Sequence, residues 1–167
     1  VLLCPVSSAP IAVLDWDTVM PGTLLFDVGD MVRSAVCLSA EDEPDVSKVV
    51  FRLNIFESVM KGYMHDDQRR VRVLEDETGG KGTINVDHNG ESGLTATEIE
   101  LLPHAGRVIT LEQGIRFLTD HLAGDVYYGV GHEGHNLERA RVQFAIVEQM
   151  EQLQGDIERI TRALFCG

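Results

Sequence analysis

Two aspartates follow a short apolar run in the stretch IAVLDWD at residues 11–17. An unpaired charge inside a strand is unfavourable, but at a strand end a carboxylate can point into a cleft. Side chains alternate across a strand, so only one of Asp15 and Asp17 can face that cleft. One or two carboxylates with phosphate oxygens are the usual ligands of Mg²⁺ in phosphoryl transfer. The pattern indicates either a magnesium site at Asp15 or two aspartates that cap a turn.

Apolar spacing gives the elements that must position these carboxylates. The runs at 1–3 and 11–15 predict a β-hairpin, and helical spacing begins near Asp27, after the Pro21-Gly22 turn. A second helix is predicted over about 46–64, with Asp45 or Ser47 as its cap. The polar, glycine-rich stretch at about 70–93 predicts a loop or a disordered insertion.

The second half of the chain has helical spacing. The TATE sequence at 95–98 predicts a capping box that opens a helix, and Pro103 predicts its interruption. Further helices are predicted from about Leu111 to Leu122 and from about 136 to 164. The whole of 1–167 therefore reads as one partial domain of the α+β class, mostly α, with a short hairpin on a helical body.

Two histidines lie three residues apart in the sequence HEGH at 132–135. They have neither an HExxH pattern nor a cysteine partner, and glycine-rich loops do not hold side chains in one direction. A structural zinc site is therefore disfavoured, and contact with solvent or a substrate is the simpler interpretation for His135.

Composition excludes several classes of partner. The chain has 14 basic and 27 acidic residues and a net charge of −13, so we expect no nucleic-acid partner. No apolar stretch approaches membrane-spanning length, so we expect no membrane partner. The three cysteines form no CxxC pair, which is typical of reduced thiols in a cytoplasmic protein.

The full segment IAVLDWDTVMPGTLLFDVGDMVR at 11–33 resembles the metal-binding segment of the aminoglycoside phosphotransferase/choline kinase superfamily. The blocks LTATEIELLPHAGRVITLEQGIRFLTDHLAGDVYY and EGHNLERARVQF are similar to the N-acetylhexosamine kinase branch of that superfamily. The resemblance covers nearly the whole chain outside the insertion at 70–93. It implies a protein-kinase-like fold, with this chain as much of its C-terminal lobe and 95–167 as a helical substrate subdomain.

The resemblance also implies roles for the residues of the metal-binding segment. Asp15 would hold the Mg²⁺ that bridges the β- and γ-phosphates of ATP. Asp27 would brace the catalytic loop by accepting hydrogen bonds from it. The other motif positions that would support the metal site are Asp17, Asp30 and Arg33.

A sugar site is implied in the helical part of the chain. The resemblance assigns Arg116 and Tyr127 to the sugar, together with His135 and Asn136 from the second block. Guanidinium and phenol groups suit the hydroxyls and carbonyl of an amide-bearing sugar. The alternative for Arg116 is a surface ion pair with Glu112 or Asp120, each four residues away.

The match to the superfamily is incomplete. The 167 residues contain neither an ATP-binding lobe nor the catalytic-loop motif HxDxxxxN. We therefore expect a piece of a longer, cytoplasmic kinase whose partners are a sugar, ATP and the missing N-terminal lobe, and which transfers no phosphate alone. The alternative is a non-catalytic, kinase-like remnant that acts as a protein-interaction module.

Overall fold

The computed structural model describes residues 2–7, 9–12, 22–65, 71–73, 84–86 and 96–165. It begins with an antiparallel hairpin of β1 (Leu2–Leu3) and β2 (Pro10–Ala12), with Leu2 opposite Ala12. The predicted hairpin is thus confirmed as far as Ala12. The rest of its predicted second strand, 13–15, lies outside the described residues.

The first helix, α1, spans Leu24–Ala35. Thr23 caps it, because its hydroxyl accepts a hydrogen bond from the Leu25 N–H at 3.3 Å. Asp27 in the first turn and Arg33 in the last turn carry the charges that favour the helix dipole. The helix predicted near Asp27 is therefore confirmed, and it begins three residues earlier than expected.

The second helix, α2, spans Leu53–His65, so its predicted start at about 46 was wrong. Asp45 instead caps a 3-10 turn over Val46–Lys48. The following residues are held extended by a distant side chain: Gln149 accepts from the Phe51 N–H at 2.8 Å and donates to the Val49 carbonyl at 2.7 Å. These tertiary hydrogen bonds override the local helical spacing.

The region predicted to be a loop or disordered contains a second small hairpin. Strand β3 (Val71–Val73) pairs antiparallel with β4 (Ile84–Val86), and Arg72 lies opposite Asn85. The prediction was wrong for these six residues, because β-branched residues flank the glycine-rich centre and favour a strand on each side.

Helix α3 spans Ala96–Leu122, and it passes through Pro103 without a break. The predicted interruption and the separate helix from Leu111 were therefore wrong. An interior proline removes one helical hydrogen bond, at a cost of about 3 kcal/mol. Packing of α3 against α1 and the helix that follows it along the chain compensates for that loss.

Two helices complete the chain where one long helix was predicted. Helix α4 spans His135–Gln152 and α5 spans Gln154–Phe165, with a break at Leu153. The Leu153 N–H still bonds to the Gln149 carbonyl, and the Leu153 carbonyl accepts from Asp156 and Ile157. The apolar spacing runs through this break, which is why periodicity alone did not reveal it.

All five helices contribute to one apolar core. In the described part of the chain the only sheets are the two small hairpins, so the predicted mostly helical class is confirmed. None of the helices in that part combines the length and apolar composition needed to cross a bilayer. The buried side chains of this core are Val28, Val32, Val36, Val49, Phe51, Phe56, Met60, Leu102, Val142, Ile146, Met150, Ile157 and Ile160.

Glycines bring α1 and α4 close to α3. A Cβ at Gly29 of α1 would lie 2.5 Å from the Ile109 side chain and 2.8 Å from the Ala105 carbonyl oxygen. A Cβ at Gly106 would lie 2.5 Å from Val32, and one at Gly114 would lie 2.7 Å from the Phe144 ring of α4. The helix backbones therefore approach one another more closely than any larger residue would allow.

We predict opposite effects for alanine at two helical glycines. Gly29→Ala should lower the free energy of unfolding by about 1–3 kcal/mol, because its new methyl group meets backbone that cannot move aside. Gly62→Ala in α2 is the matched control: nothing lies within 4 Å of its Cβ position, so alanine should raise stability by about 0.5–1 kcal/mol. Urea unfolding measures both, and equal stability of the two variants would contradict the close packing of α1 on α3.

Candidate functional site

A buried carboxylate organises the loop between α3 and α4. Asp120, in the last turn of α3, is only 5% exposed. It accepts hydrogen bonds from the backbone N–H groups of Val126, Tyr127 and Tyr128 at 3.0, 2.8 and 2.9 Å. The turn that brings these amides back to α3 uses positive φ at Gly124 (94°) and Asp125 (56°). The two tyrosines are thereby fixed to the end of α3.

The same interactions determine the pKa of Asp120. Burial alone would raise the pKa of this carboxyl, but the hydrogen bonds from the Tyr128, Tyr127 and Val126 amides outweigh burial and lower it. The ionised carboxylate of Asp120 can accept a hydrogen bond from each of the donors around it. Asp120 is therefore a charged group that serves as the fixed point of the loop.

Asn136, at the start of α4, lies beneath this loop and is fully buried. Its side-chain NH₂ donates to Asp120 at 3.0 Å and to Asp125 at 2.9 Å. Its side-chain oxygen accepts from Arg139 at 3.2 Å. Asn136 had been assigned to the sugar by resemblance, but the structure gives it a supporting position under the loop, with its amide already engaged.

His135 connects the same loop to the acidic segment after α1. Its Nδ1 accepts from the Gly131 N–H at 2.9 Å, so its proton is on Nε2, which donates to Asp42 at 3.0 Å. The ring also stacks on His132, whose Nε2 lies 2.7 Å from Glu138. A hydrogen bond from the Asp42 backbone N–H to its own carboxylate, and then the one from His135, lower the pKa of the Asp42 carboxyl. His135 is therefore tied to protein groups through both ring nitrogens.

An open depression of about 440 Å³ lies between the end of α3 and the tyrosines of the loop. Arg116 and Tyr127, both assigned to the sugar, line it together. The other lining residues are Ile115, Thr119, Asp120, Ala123 and Tyr128. The depression thus offers a guanidinium, a phenol and aromatic ring faces around an apolar floor.

Aromatic contacts hold the wall of the depression in place. The Tyr128 ring lies 4.8 Å from the Phe117 ring and 4.8 Å, edge to face, from Tyr127. The Arg116 guanidinium lies 5.7 Å from the centre of the Tyr128 ring. Arg116 also pairs with Glu112 at 3.6 Å, which is one of the two ion pairs weighed from the sequence. Arg116 therefore has an ion-pair partner and still faces the depression.

Two of the residues predicted to support the metal site, Asp30 and Arg33, form an ion pair with each other. Arg33 bonds to Asp30 at 2.9 Å and to Glu41 at 3.3 Å, and Glu41 lies 3.8 Å from Arg139 of α4. Asp27 is exposed in the first turn of α1. The charges after α1 are thus linked, through Glu41, to the helix that begins under the tyrosine loop.

The predicted metal ligand itself falls outside the described residues. Asp15 and Asp17 belong to the span 13–21, so their predicted roles stay predictions. Within the residues that the structure describes, no group of three or more His, Cys, Asp or Glu side chains is arranged to hold a metal ion. The position of Arg116 and Tyr127 relative to Asp15 is therefore outside the described residues as well.

Sequence reasoning missed two organising residues. Asp120 was considered as an ion-pair partner of Arg116; Gly124 indicates that a helix ends nearby, but not that Asp120 accepts from the amides of the following loop. Glu41 could not be predicted, because nothing in the local sequence shows that it lies between Arg33 and Arg139.

A scan of the chain against models of known protein families finds no match.

We predict that Asp120→Asn lowers the melting temperature by several degrees at neutral pH. An asparagine NH₂ would face backbone N–H groups and leave them without an acceptor. Because the pKa of Asp120 lies below its ordinary value of about 3.9, its contribution to stability is complete above that value and is lost as the pH falls through the lowered pKa. The variant should therefore lose less stability than the wild type on acidification below about pH 4.

The matched control for that measurement is Asp30→Asn. It removes a carboxylate whose side chain is exposed and which pairs only with Arg33, so we expect a small change in melting temperature. Thermal unfolding followed by circular dichroism at neutral and acidic pH measures both variants. Identical acid profiles for wild type and Asp120→Asn would rule out Asp120 as the fixed point of the loop.

Proposed function

We propose that the chain is part of an ATP-dependent small-molecule phosphotransferase that acts on a sugar such as an N-acetylhexosamine in the cytoplasm. Its role would be that of a C-terminal lobe, as the resemblance of 11–33 and of the two later blocks implies. The observation that carries the proposal is the position of Arg116 and Tyr127. Both were assigned to the sugar from sequence, and both line one depression.

The depression has the size and chemistry for a monosaccharide. Its volume of about 440 Å³ falls within the range of small-ligand sites. Arg116 would donate to a hydroxyl or to an amide carbonyl, and the Tyr127 hydroxyl can donate and accept. The ring faces of Tyr127 and Tyr128 would pack against the C–H groups of the sugar. Asp120 would act by holding the tyrosines in place rather than by touching the sugar.

The phosphate chemistry would lie elsewhere on the intact enzyme. Asp15 is the residue of this chain that would hold Mg²⁺, which supplies charge stabilisation to the β- and γ-phosphates of ATP when bound. The sequence has no HxDxxxxN motif to provide the base and the second metal ligand. In this proposal the chain supplies the sugar site and one metal ligand, and another part of the enzyme supplies the base and the groups that bind ATP.

We predict that Arg116→Ala weakens sugar binding by at least about tenfold, because one charged hydrogen bond is lost. The control is Arg159→Ala, which removes an arginine of α5 that makes a comparable exposed ion pair with Asp156 at 2.8 Å. Titration of the purified chain with N-acetylhexosamines, followed by the amide NMR signals of 126–128, measures the affinity. Equal affinities for the two variants, or sugar-induced shifts confined to other regions, would reject the assignment.

A second prediction concerns turnover. The purified chain should show no ATP-dependent sugar phosphorylation, since phosphoryl transfer depends on positioning and charge stabilisation of both reactants. A coupled assay for ADP release, with and without sugar, measures this. Sugar-dependent release of ADP by residues 1–167 would show that the chain contains a complete kinase site.

A further inference from the structure

A second cavity, of about 310 Å³, lies where the end of α1, the segment that follows it and the middle of α4 meet. Arg33, Ser34 and Cys37 line it from the last turn of α1 and just beyond, and Gln143 lines it from α4. It shares no lining residue with the depression beside the tyrosines. We call it the α1–α4 cavity, and the proposed sugar site does not account for it.

Gln143 is the residue that points to a ligand in this cavity. It is only 3% exposed, and its side-chain oxygen Oε1 is buried without a hydrogen-bond donor among the described residues. A buried acceptor without a donor is destabilising, and folded proteins satisfy nearly all of them. The cavity that Gln143 lines is the space from which a bound molecule can supply the donor.

The charges around the cavity are balanced within the protein. Arg33 pairs with Asp30 at 2.9 Å and with Glu41 at 3.3 Å, and Glu41 also lies 3.8 Å from Arg139. These two arginines and two carboxylates compensate one another. A charged ligand would compete with these pairs, whereas a neutral molecule leaves them intact. The cavity therefore favours a neutral ligand.

The polar groups of the lining indicate which neutral molecule fits. The Ser39 hydroxyl donates to the Lys48 carbonyl at 2.8 Å, so toward the cavity it can only accept. Gln143 Oε1 is an acceptor as well, whereas the Ser34 hydroxyl can donate and accept. A ligand must therefore bring several donors and also an acceptor. The hydroxyl groups of a polyol do both, because each one donates and accepts.

The size and the apolar part of the lining suit a cyclic polyol. Val142 and Ile146 of α4 offer an apolar side against which the C–H groups of a ring can pack. The volume of about 310 Å³ lies at the lower end of the range of small-ligand sites, which suits a single six-membered ring.

We propose that the α1–α4 cavity binds a small, neutral, cyclic polyol, one hydroxyl of which donates to Gln143 Oε1. The proposal does not depend on the sugar depression. Helices α1 and α4 each pack on α3, so a molecule in the cavity would add a direct link between them.

Titration of the purified chain with myo-inositol, followed by the backbone amide NMR signals of Ser34 and Ser39, tests the site. We expect a dissociation constant of about 1–10 mM. Gln143→Leu should weaken binding about three- to tenfold, since one neutral hydrogen bond is lost. Gln152→Leu is the matched control, because it removes an exposed glutamine of the same helix that does not line the cavity. It should change the affinity less than about twofold.

The stability of Gln143→Leu gives an independent check. Leucine removes the unpaired buried oxygen, so the variant should melt at a higher temperature than the wild type without myo-inositol and gain less from its addition. Ser34→Ala, at an exposed position of α1, is a second binding variant that leaves the core untouched. It should weaken binding at least about twofold, and circular dichroism verifies that each variant is folded.

Alkylation by iodoacetamide gives a second readout of occupancy. Bound myo-inositol should slow the reaction of Cys37, which lines the cavity, and leave Cys4 in the first hairpin unchanged. Mass spectrometry of the peptides separates the two thiols. Equal slowing at both cysteines, equal affinities of Gln143→Leu and Gln152→Leu, or no shift at Ser34 and Ser39 up to about 100 mM myo-inositol would overturn the proposal. Shifts at 126–128 alone would also overturn it and would leave the sugar depression as the binding site.

Discussion

The architecture depends on how closely α1 and α4 approach α3. At Gly29, Gly106 and Gly114 the facing helix or side chain occupies the place of a Cβ, so these three positions determine the distance between the helices. That distance in turn places Val28 and Val32 of α1 in the same core as Leu102. The packing of α3 on both α1 and α4 also favours its continuation through Pro103.

The sequence predicted the existence of elements better than their ends. The existence of α1 could be predicted because its apolar residues recur at helical spacing from about Asp27, whereas its Thr23 cap was not predicted. The start of α2 could not be predicted, because Gln149, almost a hundred residues away, holds 49–51 extended. The break at Leu153 was hidden for a different reason: the apolar spacing continues across it.

Two residues that line the candidate site could be predicted from the sequence, but the residues that hold its loop in place could not. Arg116 and Tyr127 were found through a motif, and the structure brings both to one depression. Asn136 and His135 belong to a motif as well, yet both are used to hold the loop. The segments that carry the resemblance contain both residues that line the depression and residues that hold the loop in place, and only the hydrogen bonds around each side chain separate the two groups.

The chemistry at Asp120 explains why an aspartate is needed at the end of α3. Three backbone N–H groups and one amide NH₂ point at a single buried position, and none of them can accept a hydrogen bond. An ionised carboxylate has only acceptor sites, enough for all four donors, whereas asparagine or a protonated aspartate would bring a donor of its own. The negative charge needs no cation beside it, because the four N–H dipoles compensate for its burial. The loop that carries Tyr127 and Tyr128 can therefore stay in position while its outer side remains open to a ligand.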